Sequence, residues 1–352
     1  QYTTRLLFRQ ISNRLFQHPV RTVSYESPKG RVDVIGLRRW SLDMLRDSVR
    51  KHRPGIELHD AACAAVLRDV LGFADAQVNS QTYVERPGAE PQRFVAIKVV
   101  EPGDAARVRW AVSARADTFR VLRPSYAPLI LGATDAAGNF TFGPVFGPLQ
   151  YGKDTALYAA SLARMPAARR AVMEADAARL RAFQSAHADS VAWRVALQAI
   201  REDGEYTNRF AAAVVLAGFS EHDATWYALV DALRDGHEAV RKSALTVLQV
   251  TPARTVDWAP AIPALRALLG GTNVSASEVL FRTLAQSRVS PDLAGPLLGG
   301  NTEWVLAHLR SRNPIAASDA RTFLVQLSGG KDFGSDANMW ESWLRTLPAP
   351  RP

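Results

Sequence analysis

Cysteine occurs once in the 352 residues, at position 63, so no intramolecular disulfide is possible and packing must hold the fold. That thiol sits in Ala61-Ala62-Cys63-Ala64-Ala65-Val66-Leu67, an apolar helical stretch, where it reads as a small buried hydrophobe rather than a nucleophile. Lysine is scarce too, confined to Lys29, Lys51, Lys98, Lys153, Lys242 and Lys331. Arginine carries the rest of the positive charge, which with abundant alanine reads as the composition of a GC-rich bacterial genome. No apolar run approaches the roughly 18 residues a spanning helix needs, so no transmembrane segment is expected. The chain opens on Gln1 without a methionine, so a cleaved leader or a trimmed end is expected. Export to the periplasm or beyond is the favoured reading, with the cytoplasm as the alternative.

Signatures of chemistry are equally thin. There is no phosphate-binding loop, dinucleotide fingerprint or nucleophile elbow. Val95-Ala96-Ile97-Lys98 and Asp332-Phe333-Gly334 imitate two protein-kinase motifs, but no Gly-rich loop precedes the first and no His-Arg-Asp loop lies between them. Both read as coincidences, and Lys98 as a solvent-facing residue on an edge strand. The histidines are scattered, and the adjacent pairs His59-Asp60 and His222-Asp223 diverge by about 100° on a helix, so they suit helix starts better than chelation. Asn139-Phe140-Thr141 and Asn273-Val274-Ser275 match a glycosylation sequon that means little in a bacterial protein. No catalytic, cofactor-binding or metal residues are therefore expected, and the chain is read as non-enzymatic.

What is present is localised charge. Residues 1–53 hold 12 Arg and Lys against 4 Asp and Glu, nearly the whole of the chain's +9. A basic amphipathic helix over 4–17, with Leu7, Phe8, Ile11 and Leu15 on one face, ends before Pro19. Such a segment either docks on its own domain or offers charge to an anionic partner. Arg5, Arg9, Arg14, Arg38, Arg39 and Arg50 are the candidate contacts for an anionic polymer or lipid surface.

The pattern then predicts a small α+β domain over 1–123. It holds a hairpin, Val20–Ser27 and Arg31–Gly36, about Ser27-Pro28-Lys29-Gly30, and a helix over Ser41–Lys51 with Ser41 as N-cap. A second helix over His59–Leu71, strands Gln77–Glu85 and Gln92–Val100, and a short helix over Asp104–Ser113 complete it. Residues 124–153 alternate Pro and Gly with aromatics and read as an ordered linker without long regular structure. Phe140, Phe142 and Phe146 in it must bury against the chain itself or against a partner.

From 154 to 347 the period is helical, with about three helices up to Asp203 and Pro166 at a first turn. Beyond them, Val240, Ala244 and Leu248 share a face in Asp235–Leu248. Arg209, Ala212 and Leu216 stand 32 residues ahead of Arg241, Ala244 and Leu248, and Leu280 with Leu284 and Ala320 with Leu324 extend the series. Thr225–Arg234, Pro260–Leu269 and Glu303–Ser311 are the alternating first helices, and Trp340, Trp343, Leu344 and Leu347 a closing one. The Asp235–Leu248 segment resembles the second helix of HEAT repeats, and the closing segment resembles the end of HEAT-like arrays. The resemblance covers residues 205–347 best and implies a right-handed α-solenoid.

The fold expected is thus mainly α: a small N-terminal α+β domain followed by a C-terminal HEAT-like α-solenoid. The function expected is a protein–protein interaction scaffold. The alternative is anionic-polymer or membrane-surface binding through the basic first 53 residues. Sequence-specific nucleic-acid binding is not expected, because residues 151–352 carry a net charge of only +2.

Overall fold

The computed structural model describes residues 19–83, 92–111, 122–134, 141, 143–151 and 155–348. The chain is mainly helical, with one four-stranded sheet near its N-terminus, and it divides into two compact units that are each discontinuous in sequence. Unit 1 comprises residues 1–108, 266–278 and 294–352; unit 2 comprises 109–265 and 279–293. The expected basic helix over 4–17, with Arg5, Arg9 and Arg14, lies outside the described residues, as do Phe140 and Phe142.

In unit 1, β1 (Arg21–Ser27) and β2 (Gly30–Leu37) form the hairpin about the expected turn. Helix α1 (Leu42–His52) follows, its N-cap Ser41 accepting from the Met44 amide at 3.1 Å. The predicted helix over His59–Leu71 is only a short turn, α2 (Cys63–Ala65), running into a π-turn over Val66–Val70. Upstream, the Asp60 carboxylate accepts from the Glu57 amide at 2.9 Å and pairs with Lys29, which holds the chain in a turn where the helix was expected to begin. Burial pushes the Cys63 thiol up to about 12, consistent with an inert packing residue. Strands β3 (Asp75–Tyr83) and β4 (Gln92–Val100) complete the sheet in the order β1-β2-β4-β3, with only β2 and β4 parallel. A 3-10 turn over Pro102–Arg107 stands in place of the helix predicted over Asp104–Ser113.

Both faces of this sheet are covered. Val32, Val34, Val95, Ile97 and Val99 pack against Leu45 and Val49 of α1 and against Leu58, Cys63 and Leu67. The opposite face presents Ile35 and Val100, which meet Val274, Trp304 and Ala307. The last two belong to α14 (Glu303–Leu309), which packs on α15 (Pro314–Leu327) and α16 (Ala337–Arg345). The Trp304 ring lies so close to the backbone that a Cβ on Gly271 would come within 2.5 Å of its Nε1; Gly271 also holds φ +110°, a conformation only glycine adopts without strain. Because β4 is interior and doubly covered, Phe94 to Val100 is buried without interruption. Lys98 is therefore no solvent-facing edge residue: it is fully buried in a central strand.

Unit 2 begins with α3 (Ala127–Gly132) and α4 (Gly143–Tyr151), the latter carrying Pro148 within the helix. The expected linker thus contains two short helices, and it folds into unit 2: Phe146 stands with its ring 5.9 Å from that of Phe210. Three helices follow as the pattern predicted, α5 (Thr155–Ala163), α6 (Ala167–Ala186) and α7 (Ser190–Glu202), with Pro166 as the N-cap of α6. Next come α8 (Tyr206–Leu216), α9 (Asp223–Ala232) and α10 (Glu238–Val250). Helix α7 packs on α8 and α9, and α10 packs on α8, α9 and α4. The chain continues through α11 (Ile262–Leu269) and α12 (Ser277–Gln286), each divided between the two units, to α13 (Ala294–Leu298), which belongs to unit 1. Val240, Ala244 and Leu248 are all buried, as their spacing requires.

Ala244 has no exposed surface on α10, so Ala244→Arg must overpack the contact and bury an unpaired guanidinium. The expected cost is on the order of 3 kcal/mol or more, read as a lowered thermal midpoint. An unchanged midpoint would show that this face of α10 is not the packed one.

Candidate functional site

The helices of unit 2 are tied by a ladder of charge-assisted bonds. Arg209, buried at the start of α8, makes a bidentate pair with Asp235, at 2.7 Å from Nε to Oδ2 and 3.0 Å from Nη2 to Oδ1. Its Nη1 also donates to the Asp203 carbonyl at 2.7 Å. One step along, Arg241 repeats that bond to the Asp235 carbonyl at 2.8 Å, 32 residues on, and lies 4.2 Å over the Trp110 ring. One step back, Arg123 donates to the Asp203 carboxylate at 2.7 Å. Asp235 also accepts from the His237 amide at 2.7 Å, while His237 caps α10 and stacks 3.6 Å from Tyr206. Burial, opposed by Asp235, pushes the His237 pKa down, so the ring is neutral and its Nδ1 accepts from the Ala239 amide at 3.2 Å. Aromatic rings keep a similar interval: Trp193 on α7 donates to Thr225 on α9 at 3.1 Å, and Trp226 meets Trp258 edge-on at 6.1 Å.

The two sides of these pairs differ in access. On α8, every residue from Asn208 to Leu216 is buried. Across α7 and α9, by contrast, an open groove of about 240 Å³ is lined by Arg201, Tyr227, Asp231, Arg234, Pro260 and Pro263. Arg234 pairs with Asp231 at 3.2 Å, whereas Arg201 is exposed and makes no ion pair among the described residues. Tyr227 is braced from below, its hydroxyl donating to the Asp257 carbonyl and standing 3.4 Å from Asp223. Composition and spacing gave no sign of this groove.

Unit 1 holds a second concentration of polar groups, entirely inside. Lys98 Nζ stands 3.0 Å from Glu278 Oε1, an ion pair that lies off the hydrogen-bonding direction. Gln81 on β3 donates to Glu278 Oε2 at 3.3 Å and accepts from Asn313 at 2.9 Å. Burial works against the Glu278 charge, but Lys98, His308 and Gln81 outweigh it and hold the carboxyl below its ordinary range. His308, with no exposed surface, donates from Nδ1 to the Trp304 carbonyl at 2.8 Å. Burial and the nearby ammonium push its pKa down to about 4, against the pull of Glu278, so the imidazole is neutral near pH 7. Three group types of a catalytic centre meet here, all of them buried. Among the described residues no group of three or more His, Cys, Asp or Glu is placed to hold a metal ion.

The described candidates for anion contact fall in different settings. Arg38 is buried, paired to Asp104 at 2.8 Å and to Glu303, while Arg107 reaches Glu303 at 3.0 Å. The backbone amides of Arg38, Arg39 and Trp40 all donate to Glu101, at 2.6, 3.0 and 3.0 Å, so an internal carboxylate fills that concavity. Arg39 is exposed. Arg50 is exposed and pairs with Glu57 at 3.0 Å. Phe146 is half-buried within unit 2. No helix of the described chain is long and apolar enough to cross a membrane. The chain matches no family model, no curated protein and no solved structure.

Asp235→Ala would strand the buried Arg209 guanidinium and remove the bond to the His237 amide. A loss on the order of 3–5 kcal/mol in denaturant unfolding is expected, against well under 1 kcal/mol for Asp231→Ala at its partly exposed pair. Equal, small losses in both variants would remove the ladder from the account of how the pairs are joined.

Proposed function

We propose that this protein is a non-enzymatic interaction scaffold, exported from a bacterial cell, whose helical pairs are HEAT-like and meet a protein partner on the side of α7 and α9. The observation that carries the reading is the contrast between the two sides of the pairs. The α8 side is filled by the chain's own residues, and the α7–α9 side keeps a groove with Tyr227, two prolines and Arg201, which makes no ion pair among the described residues. The 32-residue recurrence of Arg209 and Arg241, each bonded to a carbonyl of the preceding turn, supports the kinship with HEAT-like arrays. A ring, prolines and an exposed arginine suit a partner segment that places an acidic residue beside an apolar one. Arg38 and Arg50 already hold carboxylates, which favours this reading over an anionic polymer or lipid surface.

The test is affinity capture with the full chain at 0.3 M salt, comparing the wild type with Arg201→Glu and Tyr227→Ala. One defined protein is expected to be retained by the wild type and lost from both variants, whose helical circular dichroism stays unchanged. Retention by heparin or anionic vesicles that vanishes by 0.3 M salt, with no protein captured, would put the anionic-surface reading first.

A further inference from the structure

We propose that the seam between the sheet and the later segments of unit 1 is an acid-operated latch, closed at neutral pH and released in mild acid. The seam joins pieces far apart in the chain, residues 1–108 on one side with 266–278 and 294–352 on the other. Buried carboxylates make most of its polar bonds. Asp33 on β2 accepts from the amides of Arg312 and Asn313 at 2.8 and 3.0 Å and from the Ser311 hydroxyl. Asp75 on β3 accepts from the Val274 amide at 3.0 Å. Glu278 faces Lys98 on β4 and Gln81 on β3. On α14, His308 sits beside this pair, and Glu303 near the other end of the helix holds Arg38 and Arg107, which also share Asp104. The buried Lys98 ammonium is balanced here by the Glu278 carboxylate, with the His308 imidazole neutral beside them.

Proton uptake therefore acts on the seam in one direction. Protonating His308 sets a second cation beside the buried ammonium, and protonating Glu278 leaves that ammonium without its counter-charge. The imidazole's folded pKa of about 4 lies below its ordinary 6.5, so its contribution is complete above about pH 6.5 and is lost as pH falls toward 4. The lowered Glu278 pKa has the same sign, with its contribution present above the ordinary 4.5 and lost below the depressed value. Across the imidazole's window the opening equilibrium rises up to about tenfold per pH unit. Release uncovers Ile35 and Val100 on the sheet and Trp304 and Ala307 on α14. The latch belongs to unit 1 and does not depend on the scaffold reading.

Hydrogen exchange read by mass spectrometry on the full chain, from pH 7.5 to 4 and corrected for intrinsic exchange, tests it. The amides of β2, of 274–278 and of 304–313 should lose protection together below pH 6, before α8 and α10 do. His308→Asn keeps a donor for the Trp304 carbonyl without the titration, and should move the loss down by about one pH unit or more. Lys98→Met with Glu278→Met, an apolar pair, should flatten it further. Loss of protection that is uniform over the chain, or that neither variant shifts, overturns the latch. Should a variant fail to fold, the order of loss in the wild type decides.

Discussion

An ammonium group with no access to water has to find a counter-charge inside the protein, and Lys98 finds it in Glu278. The idealised price of taking either ion out of water is large, so each is tolerable only while the other stays in place. That condition reaches through unit 1. Glu278 must be delivered to the face of β4, which brings Val274 onto Asp75 and puts residues 311–313 within reach of Asp33. The sheet's second face is closed by chain that comes long after the sheet itself. Trp304 completes the closure only because Gly36 and Gly271 leave room for its ring.

A buried ion pair is a poor way to gain stability, since an apolar pair of similar volume often does as well or better. Its presence at a seam between distant segments has another physical consequence. An apolar seam tolerates small displacements, because dispersion contacts are non-directional, whereas a carboxylate accepting from consecutive amides admits one placement. Asp33, bonded to the 311–313 turn, fixes where α15 begins, and Asn313 then caps that helix, accepting from the Ile315 amide at 3.0 Å.

What the sequence disclosed follows from this division. The hairpin, the Ser41 cap and the buried stripe Val240–Ala244–Leu248 rest on neighbours a few residues away, and their signals are local. The face of β4 that carries Ala96 and Lys98 looks half polar, and alternation reads such a face as wet. What makes it dry lies about 180 residues on, where the Glu278 carboxylate sits in the first turn of α12. The ladder was half legible: the 32-residue interval picked out Arg209 and Arg241, but their bonds run to carbonyls and to Asp235 across turns that periodicity does not describe. The groove was not legible at all, since Arg201, Tyr227 and Pro260 belong to three separate elements.

The described residues of 124–151 cover part of the helical surface of unit 2. Its prolines and glycines keep its helices short, and short helices can be laid across longer ones at angles that a single rod cannot adopt. Val145 and Leu149 are buried in α4, and a Cβ on Gly147 would stand 3.0 Å from the Met173 methyl, so α4 sits close against α6. Helix α4 also meets α10, and its Phe146 ring stands beside Phe210 of α8. Helix α8, apolar around its whole circumference from Phe210 to Leu216, requires such a cover, because no one face of it could be left to water. The covering segment therefore belongs to the core of unit 2, and a partner that needed the α8 face would have to unfold that core to reach it. The α7–α9 groove carries no such cost, since its apolar groups already stand beside Arg201, which makes no ion pair among the described residues.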